Sequence, residues 1–449
     1  MKLLSFGLPI LVLLVGCTVL TGCMSTHNPW PEASSPIETK VPETDSPETD
    51  VPESDSPNKS QLENMVHDMS IEEKVGQMFL VRCPEKDQLD SITDYHLGGY
   101  LLFSRDFKGK NRQQLMETVE SYQDLSDIHL FIAVDEEGGS VNRLSSNSAF
   151  REEPFLSPQE LYKSGGFDQI IRDTREKSGL LKSLGINVNM APVCDISTNP
   201  KDFIYGRTFG KEAEETSEYV QDVVKTMAEE QIGSVLKHFP GYGDNADTHT
   251  GIAHDKRSYD TFADSDWKPF EAGIGAGANA VLVSHNIVEA IDSEYPASLS
   301  LKMHQILRDE LNFDGVIMTD DLYMDAIKDY TGDDEAAVTA VLAGNDILCC
   351  TDFQQQIPAV VRAVEGSGTS GYTDSADDTR GDRIQFRSLP DNRLSGIQTR
   401  AQDYTSERGQ QTGQDIHTEY RPVRIYPRVF CRRQIITCRI NMAAKFRFV

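Results

Sequence analysis

Lys237-His-Phe-Pro-Gly-Tyr-Gly-Asp-Asn-Ala-Asp-Thr-His249 is the stretch of this chain whose residue types and spacing could do chemistry. It follows a short apolar run, Gly233-Ser-Val-Leu236, that reads as a buried strand. A strand ending in Lys237-His238, followed by a Pro/Gly-rich loop with Asp247 and His249, places polar groups where loops carry chemistry. The Asp-x-His spacing lets the Asp247 carboxylate orient the His249 imidazole and raise its pKa, so that it exchanges a proton near neutral pH. Taken alone such a pair is weak evidence, because most are solvated loop residues. Further acids and bases stand just past other apolar runs: Asp135, Asp195, His285, and the adjacent pair Asp320-Asp321. Asp320-Asp321 also suits the cap of a helix that follows a strand, and that reading stays open on the residues alone.

The elements that must position these groups alternate. Eight short apolar runs read as strands: 78–81, 99–103, 130–134, 186–190, 234–236, 280–284, 315–319 and 347–350. Amphipathic patterns fill the gaps, most clearly over 212–230 and 301–311, with a further helical run over 354–365. This predicts an α/β fold, a (β/α)8 TIM-type barrel. A doubly wound sheet gives the same alternation. The barrel is favoured because Asp135, Asp195, Lys237 with His238, His285 and Asp320 all fall at the C-terminal ends of different strands, the end where barrel enzymes gather catalytic groups.

Composition bounds the rest. The 449 residues carry a formal net charge of −28, which argues against nucleic acid as a partner. Residues 1–23 read as a lipoprotein signal peptide: Lys2, then an apolar stretch over 3–15 that is too short to span a membrane, then Leu20-Thr-Gly-Cys23, a lipobox-like sequence. Cys23 is the expected lipidation site and Cys17 the alternative; a plain signal peptide with an incidental cysteine is the competing reading. The anchor predicts attachment to the cell membrane, facing outside the cytoplasm. Residues 24–60 form an acidic Pro/Ser/Thr-rich linker with a short repeat, Pro42-Glu-Thr-Asp45, Pro47-Glu-Thr-Asp50 and Pro52-Glu-Ser-Asp55, which is expected to be an extended tether. Residues 61–365 are the globular, catalytic part. From Gly366 the pattern changes: 18 Lys and 11 Arg precede it, 1 Lys and 13 Arg follow. The span 366–449 reads either as a disordered basic tail or as the product of a reading-frame shift near Glu365, and the loss of hydrophobic periodicity favours the second. Cys83, Cys194, Cys349 and Cys350 sit in or beside apolar runs and read as buried thiols. No C-x-x-C spacing is present, so neither a zinc site nor a disulfide framework is expected.

Five segments carry a resemblance, the first of them the opening Met69-Ser-Ile-Glu-Glu-Lys-Val-Gly-Gln-Met78. The 237–249 string resembles the signature of the glycoside hydrolase family 3 β-N-acetylglucosaminidases. Val134-Asp-Glu-Glu-Gly-Gly-Ser-Val-Asn-Arg143, Gly206-Arg-Thr-Phe-Gly210 and Ile317-Met-Thr-Asp-Asp-Leu322 are similar to three more of that family's elements, in the same order. The resemblance implies the barrel, no cofactor and no metal. It implies Asp320 as nucleophile, since retaining hydrolysis needs a carboxylate close to the anomeric carbon, with Asp321 in support. His249 is then the general acid/base on a mobile loop and Asp247 its orienting partner. Asp135 accepts sugar hydroxyls, while Arg143, Arg207, Lys237 and His238 donate to hydroxyl or acetamido oxygens. Asp195 is expected to cap or bridge, and His285 to be a satisfied core histidine. Gly138-Gly139 is expected to allow close backbone packing. Tyr242 and Ser140 depart from the family's commoner residues.

The activity so implied is retaining exo-β-N-acetylglucosaminidase, acting on a small carbohydrate or muropeptide from peptidoglycan. A phosphorylase or a β-glucosidase of the same family, and an inactive wall-associated lipoprotein with a damaged C-terminus, are the alternatives. Nothing in the sequence assigns an oligomeric state.

Overall fold

The computed structural model describes residues 59–245, 247–248, 251–331 and 336–366. Cys17, Cys23, the span 24–58, His249 and the tail from 367 lie outside the described residues.

Eight parallel strands follow one another along the chain: β1 (Phe79–Arg82), β2 (Gly99–Leu102), β3 (Phe131–Val134), β4 (Val188–Asn189), β5 (Gly233–Phe239), β6 (Ala280–Val283), β7 (Val316–Thr319) and β8 (Leu348–Cys350). Each overlaps one of the eight apolar runs. Their near-continuous hydrophobicity has a cause: a parallel strand in a barrel is buried on both faces. The sheet order is β7-β6-β5-β4-β3-β2-β1-β8, so neighbours in sequence are neighbours in space until β8 returns to β1, with Phe79 opposite Leu348. A bridge between Met318 and Ile347, and the Thr319 N–H donating to the Ile347 carbonyl at 3.1 Å, bring β7 onto β8 and close the ring. That closure excludes the doubly wound alternative, whose edge strands stay unpaired.

Alternation along each strand divides the core in two. Leu80, Leu101, Ala133, Val235, Leu282, Met318 and Cys349 belong to the cluster that fills the barrel interior. Their neighbours Phe79, Val81, Leu102, Val134, Leu236, Val281, Val283 and Ile317 face outward into a second cluster shared with the helices. The helix expected over 212–230 forms as Ala213–Glu229 and buries Val220, Val223, Val224 and Met227. The last described helix, Phe353–Gly366, buries Phe353, Ile357, Val360 and Val364. The pattern over 301–311 gives two pieces instead of one: an α-helix Leu301–Gln305 and a π turn Ile306–Glu310. The wider turn carries Arg308, which donates to the Phe313 and Gly315 carbonyls (2.8 and 2.6 Å) and to Asp346 (2.6 Å), tying the helix end to the foot of β7.

Two differences bear on the site. Lys237 and His238 lie inside β5, not past its end. The ladder continues through them because Cys194 N–H donates to the Lys237 carbonyl (2.6 Å) and Ser284 N–H to that of Phe239 (2.8 Å). A short antiparallel hairpin, Glu136–Gly138 with Val141–Asn142, follows β3 directly. Strands of two or three residues are too short to give a periodic signal, and the sequence does not announce it.

Candidate active site

Period-two alternation builds the layer above the barrel interior. Two residues beyond the inward-facing Leu80, Leu101, Ala133, Val235, Leu282, Met318 and Cys349 stand Arg82, Phe103, Asp135, Lys237, Ser284, Asp320 and Thr351. The C-terminal mouth is therefore ringed by ionisable and polar groups resting on an apolar floor.

Five of the expected residues meet in one network. Lys237 Nζ lies 2.7 Å from Asp135 Oδ1 and 2.6 Å from Glu137 Oε1. Glu137 also receives Arg207 through Nη2 (2.8 Å) and Nε (3.0 Å), a two-pronged contact. Arg207 Nη2 is 3.0 Å from His238 Nε2, and His238 Nδ1 is 2.7 Å from Asp195 Oδ2. Arginine can only donate, so Nε2 accepts and Nδ1 carries the proton that goes to Asp195. Asp195 bridges onward, accepting the Tyr242 N–H at 2.7 Å. Burial opposes charge on Glu137, but Lys237 and Arg207 outweigh it and hold its carboxyl well below the usual range. Burial likewise opposes charge on Lys237, and Asp135 with Glu137 more than restores it. Glu137 and Lys237 thus stay ionised in a nearly dry setting, and the network fixes Asp135, Lys237 and His238 before any substrate arrives.

Glu136 sets the hairpin. Its carboxylate accepts the N–H groups of Arg143 (2.9 Å), Leu144 (2.8 Å) and Ser145 (3.1 Å). Arg143 is thereby carried to the mouth, where its guanidinium lies over the Phe103 ring at 5.3 Å. Gly138 adopts φ +107°, and a Cβ there would stand 2.2 Å from the Leu156 carbonyl oxygen, so close backbone packing is what this glycine provides.

Asp320 ends β7. Its backbone N–H donates to the Val283 carbonyl (3.1 Å), and its Oδ1 accepts the Asp321 N–H (2.9 Å). Asp321 turns away to accept Thr351 N–H (3.0 Å), Thr351 Oγ1 and Tyr323 N–H (3.0 Å). Burial raises its pKa above the ordinary range. His285 is buried and satisfied, with Nδ1 at 2.8 Å from Ser298 Oγ and Nε2 at 3.1 Å from the Asp321 carbonyl. Cys83, Cys194, Cys349 and Cys350 are buried free thiols.

Of the loop after β5, Asp247 and Thr248 are described, and His249 lies outside the described residues. Tyr242 holds this segment: its hydroxyl is 2.8 Å from Thr248 Oγ1 and accepts Thr248 N–H at 2.9 Å, while its ring stands edge-on to His238. The residue that departs from the family's commoner choice is thus a strut beneath the loop. Arg257 clamps the other side, donating to Asp255 (Nη2, 2.7 Å), Asp266 (Nη1, 2.7 Å) and the Gly241 carbonyl (Nη2, 2.8 Å).

Gly241 has φ +119°, and a Cβ on it would lie 2.5 Å from Asp266 Oδ1. Gly241→Ala is expected to cost about 1–3 kcal/mol of stability through backbone strain and to lower kcat about tenfold or more, because displacement of this loop misplaces a reacting group. Urea unfolding and steady-state kinetics on the same preparation check both. A second expectation concerns pH. Burial outweighs Arg257, whose charge Asp255 shares, and pushes Asp266 up to about 6. Between its unfolded value near 4 and about 6, the folded chain holds a proton that the unfolded chain has released. Stability from this group is therefore present at low pH and lost as pH rises through about 6. Asp266→Asn lacks that loss, so its melting temperature should gain on that of the unaltered chain between pH 4 and 6.5.

Glu137, Tyr242 and the Asp255–Arg257–Asp266 clamp were not assigned from the sequence. Glu137 had a signal, three consecutive acids at 135–137 after a strand. The clamp had none, since its partners are scattered in loops.

Comparison with known proteins gives the family and the fold. The family model described as "Glycosyl hydrolase family 3 N terminal domain" matches residues 70–378. A beta-hexosaminidase from Nitrosomonas eutropha is 33% identical over 263 residues, 57% of this chain and 74% of that protein. Beta-hexosaminidase LpqI from Mycobacterium tuberculosis is 30% identical over 314 residues, 68% of this chain and 78% of that protein. Among solved structures, a glycoside hydrolase family 3 beta-N-acetylglucosaminidase from Paenibacillus sp. superposes with a TM-score of 0.61 at 25% identity, covering 82% of this chain and 68% of that one. The M. tuberculosis LpqI structure gives 0.61 at 28% identity, covering 68% of this chain and 90% of the other.

Proposed function

The chain belongs to glycosyl hydrolase family 3, and from that premise we propose that it is a β-hexosaminidase, more narrowly a retaining exo-β-N-acetylglucosaminidase. The observation that carries the reading is the pre-formed Asp135–Lys237–Glu137–Arg207–His238 network, whose Asp135 and Lys237 share one mouth layer with Asp320. Asp135 has one carboxylate oxygen committed to Lys237, and the other would accept sugar hydroxyls. Lys237 and Arg207 offer charged donors to hydroxyl and acetamido oxygens, while His238, whose proton goes to Asp195 and whose Nε2 accepts from Arg207, orients that guanidinium instead of donating to the sugar as the resemblance implied.

The Asp320 carboxylate attacks the anomeric carbon as the glycosidic C–O bond breaks, and His249, oriented by Asp247, gives its proton to the leaving oxygen. His249 then takes a proton from water, whose oxygen displaces Asp320 and releases the sugar with its original anomeric configuration. Closure of the 241–251 loop over the sugar excludes water from the first step. The substrate fits best as a peptidoglycan fragment with a non-reducing β-linked N-acetylglucosamine, met at the outer face of the membrane by an enzyme tethered through Cys23.

The test is turnover of 4-nitrophenyl β-N-acetylglucosaminide by the purified chain, with His249→Ala as control and proton NMR of the first-formed anomer. Retained β-product that collapses by roughly 100-fold or more in the control supports the reading. Inverted product, equal activity in the control, sugar 1-phosphate formed in phosphate buffer, or a preference for the matching glucoside would each count against it.

A further inference from the structure

Asp321 has three polar groups, and two of them are gripped by the surrounding structure. Its carboxylate accepts Thr351 N–H and Tyr323 N–H on Oδ1 (both 3.0 Å), with Thr351 Oγ1 against Oδ2. Its carbonyl accepts Met324 N–H (3.0 Å) from the turn that follows and His285 Nε2 (3.1 Å) from the loop after β6. The third group, the N–H, is thereby fixed in direction, and it meets Asp320 Oδ1 at 2.9 Å. Residues that follow the strands on either side of β7 thus hold the neighbour of Asp320.

The His285 ring has a defined task in this arrangement. A carbonyl can only accept, so Nε2 carries a proton. In the neutral ring Nδ1 then accepts, and the Ser298 hydroxyl at 2.8 Å donates to it. Ser298 is itself locked, its N–H donating to the Ser284 carbonyl (3.0 Å) and its carbonyl accepting Asn345 Nδ2 (2.7 Å). Both His285 and Ser298 are fully buried. An imidazole there costs desolvation that a leucine would not, and what it supplies is one donor aimed at one carbonyl. We propose that His285, set by Ser298, is a positioning residue for the nucleophile: by holding the Asp321 carbonyl it keeps the Asp321 N–H on the Asp320 carboxylate. This rests on the glycosidase reading, with Asp320 as nucleophile.

The consequence differs between the two steps. In the second, water displaces Asp320, whose bond to the anomeric carbon breaks and returns its electron pair to the carboxylate. The Asp321 N–H stabilises that charge as it appears. Without a fixed N–H the carboxylate is more basic and less well aimed. In the first step these effects oppose each other, because a stronger nucleophile is worse placed. In the second they do not, because a more basic carboxylate is a poorer leaving group.

The experiment compares His285→Leu, His285→Gln and Ser298→Ala with the full unaltered chain on 4-nitrophenyl β-N-acetylglucosaminide, whose good leaving group makes the second step limit kcat. Rates are taken per folded molecule, from circular dichroism. His285→Leu is expected to lower kcat about tenfold or more and kcat/KM less than about threefold, so that KM falls with kcat. His285→Gln, which keeps a donor for the carbonyl, should restore most of kcat, and Ser298→Ala should show the same split in milder form. In the chain labelled with ¹⁵N-aspartate, the amide signal missing from Asp321→Asn belongs to residue 321. Its proton should move upfield in His285→Leu and stay in place in His285→Gln. Equal loss of kcat and kcat/KM, no loss of either, or an unmoved Asp321 proton in His285→Leu overturns the proposal. Should the unaltered chain turn over no glycoside, the glycosidase reading fails, and the amide signal still decides whether His285 sets that N–H.

Discussion

Asp320→Asn is expected to lower kcat on 4-nitrophenyl β-N-acetylglucosaminide by roughly 10⁴-fold or more, the scale at which loss of a covalent nucleophile is felt. The fold should hardly notice. Asp320 is half-buried, and its Oδ1 accepts the Asp321 N–H, which an Asn Oδ1 accepts equally well. Its backbone contact to Val283 is untouched by the change. A companion variant identifies the role. Asp320→Ala leaves a space that azide can enter, and azide arriving from the nucleophile's side yields the α-glycosyl azide. The β-azide would mark Asp320 as the acid/base instead. A loss of kcat under tenfold, or no azide adduct with restored turnover, would remove Asp320 from the nucleophile's role.

The second large effect falls on stability as much as on catalysis. Lys237→Met should destabilise the barrel by about 3–5 kcal/mol, the usual consequence of removing one partner from a buried ion pair. The side chain is 2% exposed and holds two carboxylates, of which Glu137 is 3% exposed. Methionine fills the volume but leaves Glu137 with Arg207 alone and Asp135 without its cation. Adding Glu137→Gln to Lys237→Met should restore part of the loss, because it withdraws one stranded charge; chemical denaturation of both singles and the double measures the coupling. The pH dependence has a definite sign. Glu137 is held below its ordinary value, so the stability it supplies is complete above about pH 4.5 and fades as pH falls toward its folded value. Lys237→Met should show a shallower acid limb than the unaltered chain. An additive double mutant and unchanged acid limb would mean that the triad contributes nothing specific.

The strands were legible because a parallel barrel strand is apolar on both faces, and a run such as Ala280–Val283 cannot hide that. The placement of Asp135 and Asp320 was legible for the same reason, as each is the first acid after such a run. Lys237 and His238 were misplaced by one turn of that logic: polar residues were taken to end the strand, when a buried ion-pair network lets them stay in it. Glu137 escaped because its partners Arg207 and Lys237 are 70 and more residues away, and an ion pair across that distance leaves no local periodicity. Arg82 escaped for a subtler reason. At the end of an apolar run a lone arginine looks like a surface terminator, and only the inward parity set by Leu80 shows that it faces the mouth.

The pairing of β1 with β8 also orders events in time. Phe79 can meet Leu348 only after nearly the whole domain has been synthesised, so the first strand leaves the ribosome long before its second neighbour exists. Until then β1 and β7 present bare edges, and the nascent sheet is a surface other chains could join. Arg82, at the tip of that waiting strand, is a charge of the kind that discourages such joining. The same residue would thus serve the unfinished chain as a guard and the finished one as part of its mouth.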